Sequence, residues 1–262
     1  MKISEITSYL DGCFHPEYQE AYDNSGFLVG DPESDCRGVL VAVDLTAEVI
    51  EEALEKGVNL IVTHHPFLFT GVKRITPADA VGRMLMQLVK NDLSVYAAHT
   101  NLDNLHDGVN GILAEKLGLT DCQILRPLAG KEEDNVGAGM IGTLARPVDT
   151  TTYLDQVKET LGLPMLRLSD LANKRVQRVA ICGGAGSFLI PDAIAAGADI
   201  YLTGDMKYHD FQRAEGRITL VDIGHYESEQ YTRELIKSVI SKKFSNFACL
   251  ISREGRSYVN YM

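Results

Sequence analysis

No run in this 262-residue chain approaches the roughly 18 consecutive apolar residues that a membrane-spanning helix needs. Cysteine is sparse: Cys13, Cys36, Cys122, Cys182 and Cys249 are odd in number, widely scattered and lack any CxxC pair. That excludes a disulfide framework or a zinc knuckle and suits buried thiols in a reducing compartment. The first residues, MKISEITSYLDG, contain no apolar h-region and do not read as a secretory signal, so a cytoplasmic location is expected. Basic stripes are missing too. Net charge is -11, the pI is about 5.1, and the densest basic patches are RITPADAVGR and NKRVQR. Phosphate neutralisation supplies most of a duplex binder's affinity, so this balance argues against nucleic acid as the main partner. It suits a protein that collects divalent cations.

What is present is a 45% hydrophobic chain in which strands and helices alternate. Residues 39–43 (VLVAV), 58–62 (VNLIV) and 93–98 (LSVYAA) read as strands, with helices predicted over 47–56, 79–90 and 108–117. A Pro/Gly-containing stretch follows at 126–139. Beyond it, strands are expected at 140–145, 165–168, 178–182, 199–203 and 218–223. The helices between and after them fall near 151–161, 190–196, 206–214 and 226–242. Such alternation predicts α/β layers with largely parallel central strands.

The chain also repeats itself. Residues 57–65, GVNLIVTHH, recur 140 positions later as GADIYLTGD, and the same offset lays Val39–Val43 over Val179–Gly183. A third strand matches at an offset of 126, which puts Ala98-His99 over Gly224-His225 and Asp103 over Glu229. Two pseudo-repeated α/β domains follow, expected as residues 1–125 plus 224–262 and residues 126–223. Ligands of parallel sheets gather at the carboxyl ends of strands. THH, HTNLD, TGD and HYESE all lie at such ends, and if the halves pack face to face these ends meet in a cleft.

Imidazole and carboxylate are ligands for zinc, iron and manganese. His225 and Glu229 stand at i and i+4 at a predicted helix start, so they share a face. Asp103 and His99 offer the same spacing, although Asn101 and Asn104 favour a loop there. With His64 and His65 the set holds four histidines and two carboxylates. One four-coordinate ion needs only some of these; two ions sharing a bridging carboxylate use nearly all. Each element has an ordinary reading beside the functional one. A single strand-end histidine is commonly a hydrogen-bonded structural residue, H-x3-E a solvated helix face, and HTNLD an Asx-rich turn. Adjacent histidines in a strand point to opposite faces, so His64 and His65 serve one site only if the backbone turns. ICGGAGSFL (181–189) offers either a phosphate-cradling loop or a tight strand-to-helix turn, and it lacks the Gly-Lys-Ser/Thr ending of a P-loop. His209, beside Lys207, reads equally as a substrate contact or a surface helix start. His15 and His106 read as ordinary histidines.

Taken together, DNSGFLVGD (23–31), VTHHPFLF (62–69), AAHTNLD (97–103), TGDMKYHD (203–210) and GHYESE (224–229) resemble the NGG-one interacting factor three-like family. Its members commonly carry the name GTP cyclohydrolase 1 type 2 homologue. The resemblance implies two α/β domains, a dinuclear metal site at the interdomain cleft and a ring-shaped homohexamer. Carried onto matching positions, it implies that His64 and His65 each serve one ion, that Asp103 and His225 are further ligands, and that Glu229 bridges both. His99 would stand beside the site as a proton-transfer group. Two divalent ions, zinc, iron or manganese, would make the protein a hydrolase of nucleotide-like substrates, with Lys207, Lys73 and Arg74 as candidate triphosphate contacts. The alternatives are a non-catalytic adaptor or regulatory ring protein and a metal-trafficking protein.

Overall fold

Val39–Ala42, Leu60–Thr63 and Ser94–Ala97 are buried along their whole length in the computed structural model, which describes residues 1–260 and 262. Strands covered on both faces read as continuous apolar runs, which is why their sequences do not alternate. The chain divides into two compact units, Met1–Leu102 with Thr232–Arg256 and Asp103–Tyr231 with Ser257–Met262. These bounds differ from the expected 125/126 and 223/224 for a local reason. Thr120–Pro127 pairs with Gly137–Asp149 in the second sheet, and His225–Glu229 follows directly on a strand of that same sheet.

The first unit holds a five-stranded sheet in the order Gly26–Val29, Ser94–Ala97, Leu60–Thr63, Val39–Ala42, Cys249–Ile251, antiparallel only at the Gly26–Val29 edge. Helix Ala47–Lys56 starts where Thr46 Oγ1 accepts the Val49 amide at 3.2 Å and stops at Gly57, whose φ of 68° reverses the chain. Its Val49, Ile50 and Ala53 pack with Leu88 of helix Ala80–Lys90 on Leu40, Ala42, Ile61 and Val95. The Gly26–Val29, Thr120–Pro127 and Cys249–Ile251 strands have no counterpart in the sequence reading, because half-exposed edges lack the continuous apolar run of the buried strands.

The second unit holds a six-stranded sheet: Thr120–Pro127, Gly137–Asp149, Arg175–Ile181, Ile200–Thr203, Thr219–Asp222, Arg167–Leu168. Its three central strands after Gly137–Asp149 run parallel. Val179, Ile181, Ile200, Leu202 and Val221 face one core with Tyr153, Val157 and Leu161 of helix Thr150–Leu161. The intervening Ala180, Tyr201 and Leu220 face the other, with Ile190 and Ala193 of helix Ile190–Ala195. Period-two alternation therefore fills two cores from one set of strands. The Pro/Gly-containing stretch 126–139 holds the turn of the long Thr120–Asp149 hairpin and the paired strand ends on either side of it. The helix expected over 226–242 is two helices, His225–Glu229 and Thr232–Lys243.

Strand registers carry the internal repeat. Val39 pairs with Leu60 and Val179 with Ile200, each residue 140 positions from its counterpart. For the third strand, Leu60 pairs with Ser94 and Ile200 with Thr219, an offset of 125 rather than 126. Ala98 N–H donates to Thr63 O at 2.9 Å and Ile223 N–H to Thr203 O at 2.8 Å, so Ala98 answers to Ile223. Gly224, with φ of 79°, is the one extra residue before His225.

Asp199 pins this second sheet from outside the ladder, with Oδ2 accepting the amides of Gln177 and Arg178 at 2.9 Å each. Asp199→Ala removes the one carboxylate oxygen that accepts both amides and is expected to cost about 1–3 kcal/mol, read as a lower urea midpoint at unchanged m-value.

Candidate functional site

Leu60–Thr63 ends where its backbone turns. The amides of His64 and His65 both donate to Val43 O, at 3.1 and 2.9 Å, and Thr63 Oγ1 donates to His65 O at 2.8 Å. Two consecutive amides on one carbonyl break the alternation, and the imidazoles come together with ring centroids 4.8 Å apart. His99 joins them from the end of Ser94–Ala97, 5.4 Å from each ring. The ligating atoms of His64, His65 and His99 all lie within 4.8 Å of one another.

Each of these rings is held by Nδ1. His64 donates to Ala98 O at 2.7 Å, His65 to Asp44 Oδ1 at 2.8 Å and His99 to Asp23 Oδ1 at 2.8 Å. A carbonyl or carboxylate oxygen only accepts, so Nδ1 carries the proton and Nε2 the lone pair of the neutral ring. Asp23 is well built for this duty. Burial works to raise its carboxyl, but hydrogen bonds from His99 and Thr100 outweigh that and hold it below the usual carboxylate range. Thr100 opens a single helical turn, Thr100–Asp103, where a loop was expected. The Asn101 side chain, suspected of favouring a loop, accepts the His99 amide at 2.9 Å and donates to Phe14 O.

In the second unit, His225 and Glu229 occupy the ends of helix His225–Glu229, with Nε2 and Oε2 3.1 Å apart. Asp205 Oδ2 accepts from His225 Nδ1 at 2.8 Å, so this imidazole is tethered in the same way. Asp205 reaches it from the left-handed conformation, φ 55°. Glu229 is 3% exposed, and its carboxylate lies within 4.8 Å of that of Asp103. At an effective dielectric of about 20, unit charges that far apart repel by roughly 3 kcal/mol. Cys182, at the end of Arg175–Ile181, feels them: burial first, then Asp103 and Glu229, push its thiol up to about 12.

The GGAGS loop makes room for this cluster. A Cβ on Gly184, which has φ of +64°, would sit 2.2 Å from Glu229 Oε1. Three of the loop's amides are engaged by neighbouring elements: Gly183 N–H goes to Asn110 Oδ1, Gly184 N–H to Ser228 Oγ and Gly186 N–H to Thr203 Oγ1, which suits the tight-turn reading of ICGGAGSFL. His209 is exposed at the start of helix Tyr208–Gln212, its Nδ1 3.3 Å from Gln212 Oε1. Lys73, Arg74 and Lys207 are exposed as well, and His15 and His106 pair with Glu17 and Asp107. Sequence reasoning missed Asp23, Asp44 and Asp205 as tethers. The available signal was an acid at or just beyond a strand's carboxyl end (Asp44, Asp205) and the opening of DNSGFLVGD (Asp23).

Fold and clusters together define a two-unit, mixed α/β protein whose strand ends carry tethered imidazoles and close carboxylates. The chain belongs to the Duf34/NIF3 (NGG1p interacting factor 3) family, whose model matches residues 1–255. A Clostridium perfringens protein named GTP cyclohydrolase 1 type 2 homolog is 33% identical over 260 residues, 98% of each chain. A Streptococcus pneumoniae protein of the same name is 34% identical over 232 residues, 86% of this chain and 85% of its own. A crystal structure of a Staphylococcus aureus hypothetical protein matches with TM-score 0.91 at 30% identity, covering 100% of this chain and 99% of its own. Among the described residues, no helix is long and apolar enough to cross a membrane.

His64 is expected to hold the Nδ1–H tautomer across neutral pH, read from its ring-nitrogen chemical shifts; an Nε2–H signal would contradict the tether. Gly184→Ala, forced into both a left-handed backbone and the Glu229 carboxylate, is expected to destabilise the fold by about 1–3 kcal/mol in urea titration.

Proposed function

We propose that the protein is a divalent-metal-dependent hydrolase acting on nucleotides, with two ions per chain held by His64, His65, Asp103, His225 and Glu229. The observation that carries this reading is the tether on Nδ1 of His64 and His65, which makes Nε2 the lone-pair nitrogen of each neutral ring, and His225 is tethered likewise with its Nε2 3.1 Å from Glu229 Oε2. The donor set supports it further: nitrogen and carboxylate oxygen suit zinc, iron and manganese. Two carboxylates within 4.8 Å gain from a cation between them. The glycine at 184 keeps space beside Glu229 that a side chain would fill. The name shared by the Clostridium and Streptococcus relatives supports a nucleotide substrate.

In this reading Glu229 would serve both ions, while His64 and His65 would each serve one. Bound ions would supply Lewis-acid polarisation and a more acidic water. The chain's own groups do the rest. His99 would accept and return a proton at Nε2, because Asp23 fixes its Nδ1–H and with it the orientation of the ring. Glu229 and Asp103 set a local negative potential, and the Cys182 thiol stays protonated at neutral pH instead of competing as thiolate. Lys207, Lys73 and Arg74 are the candidate phosphate contacts. The same reading includes a homohexamer, checked by light scattering on the purified protein.

Metal analysis after loading with zinc, iron or manganese is expected to find two equivalents per chain. Glu229→Gln should leave the protein folded, lower that ratio and abolish nucleotide turnover; full activity in that variant removes the bridging role. Less than one equivalent under every loading condition defeats the metal centre. Two equivalents with no turnover of any nucleotide would favour the adaptor reading.

A further inference from the structure

Aromatic rings in the first unit form an unbroken run that begins at the histidine cluster and ends in solvent. His64 and His65 each lie 5.4 Å from His99. Phe69 meets His99 edge-on, at 5.8 Å and 76°. Tyr22 then stacks on Phe69 at 6.3 Å, the two planes only 26° apart. Exposure rises along the run, from buried His64 to Phe69 at 46% and Tyr22 at 64%.

The outer two rings are hard to explain as core. Each leaves about half or more of its surface in water, so burial contributes little of what a packed aromatic normally supplies. They are also positioned by the segment that positions His99. Asn24 Nδ2 donates to Leu68 O, which ties the loop of Tyr22 to that of Phe69. Ser25 Oγ donates to Asp23 Oδ2, and Asp23 in turn holds His99. Residues 22–25 therefore set an exposed ring pair and the proton-transfer imidazole together. Near-parallel rings with exposed faces accept a third ring in offset stacking, and every heteroaromatic base has a face to offer.

We infer that Tyr22 and Phe69 form a stacking platform for the planar heteroaromatic ring of the substrate, held beside His99. The substrate class is then one defined by its ring, a nucleoside or nucleotide with a heteroaromatic base, and not by its phosphates alone; guanosine serves as the probe. This rests on the hydrolase reading for the meaning of the neighbouring histidines, but ring stacking itself needs no metal.

That independence makes the test clean. Binding of guanosine and of ribose 5-phosphate is measured by calorimetry on the chelated and the metal-loaded full chain, for the wild type, Tyr22→Leu and Phe69→Leu. Leucine keeps an apolar link between the two loops and removes the π-face, and unchanged thermal midpoints show that the link survives. The expected result is guanosine binding weakened about tenfold or more in each variant, chelated or loaded. Ribose 5-phosphate binding should be unmoved. Guanosine bound equally by all three proteins, or by none, overturns the platform. A metal ratio below one per chain with the guanosine loss intact would instead overturn the metal centre and leave the platform standing.

Discussion

An imidazole becomes a directional ligand only when its other nitrogen is held, and in this chain that condition is met at four strand ends or helix starts. Ala98 O, Asp44, Asp23 and Asp205 each fix one ring through Nδ1, at 2.7–2.8 Å. Much else follows from keeping those acceptors in place. Ala98 is held by its amide on Thr63 O, Asp44 follows the strand Val39–Ala42, and Asp205 follows Ile200–Thr203. The parallel ladders thus act as rulers: a shift of one register would carry a tether away from its ring. Buried apolar runs on both faces of those strands resist such shifts, since slipping one residue exchanges the occupants of two filled cores.

Duplication explains why the tethers look alike and divergence explains why the donors do not. Under the shared register His64 and His65 answer to Gly204 and Asp205. The first copy uses the position after its second strand for imidazoles; the second copy uses it for the carboxylate that holds an imidazole further on. Gly204 suits that change, because a Cβ there would sit 2.8 Å from the His225 backbone nitrogen. Gly224, the residue inserted before His225, adopts a φ of 79° that other residues rarely take. A strand end that gave up its histidine has become the packing surface for a helix that supplies one.

The sequence made the α/β alternation and the repeat legible because both rest on apolar strands of four or more residues, whose period survives without tertiary context. It made His64, His65, His99, Asp103, His225 and Glu229 legible as candidates because imidazole and carboxylate at strand ends are scarce and chemically specific. The edges were not legible. Cys249–Ile251 is too short to show a period, and the boundary expected at 125/126 fell inside a hairpin because turn residues mark a long hairpin and a domain boundary alike. The acidic tethers were hidden by their commonness. Asp44 is one of 36 acidic residues, and only the 2.8 Å contact to His65 distinguishes it.

The two units bring different electrostatics to their clusters. His64, His65 and His99 each turn Nδ1 to an oxygen, and two of those oxygens belong to the Asp44 and Asp23 carboxylates, so the first cluster carries its negative charge behind the rings. Asp103 and Glu229 concentrate negative charge in the second, and the response of Cys182 registers it from within the same unit. Imidazole nitrogen suits zinc, iron, copper and nickel, whereas carboxylate oxygen suits magnesium, calcium and manganese. The duplicated fold has thus given its copies different donors at equivalent strand ends, imidazole after the second strand of the first unit and a carboxylate at that place in the second.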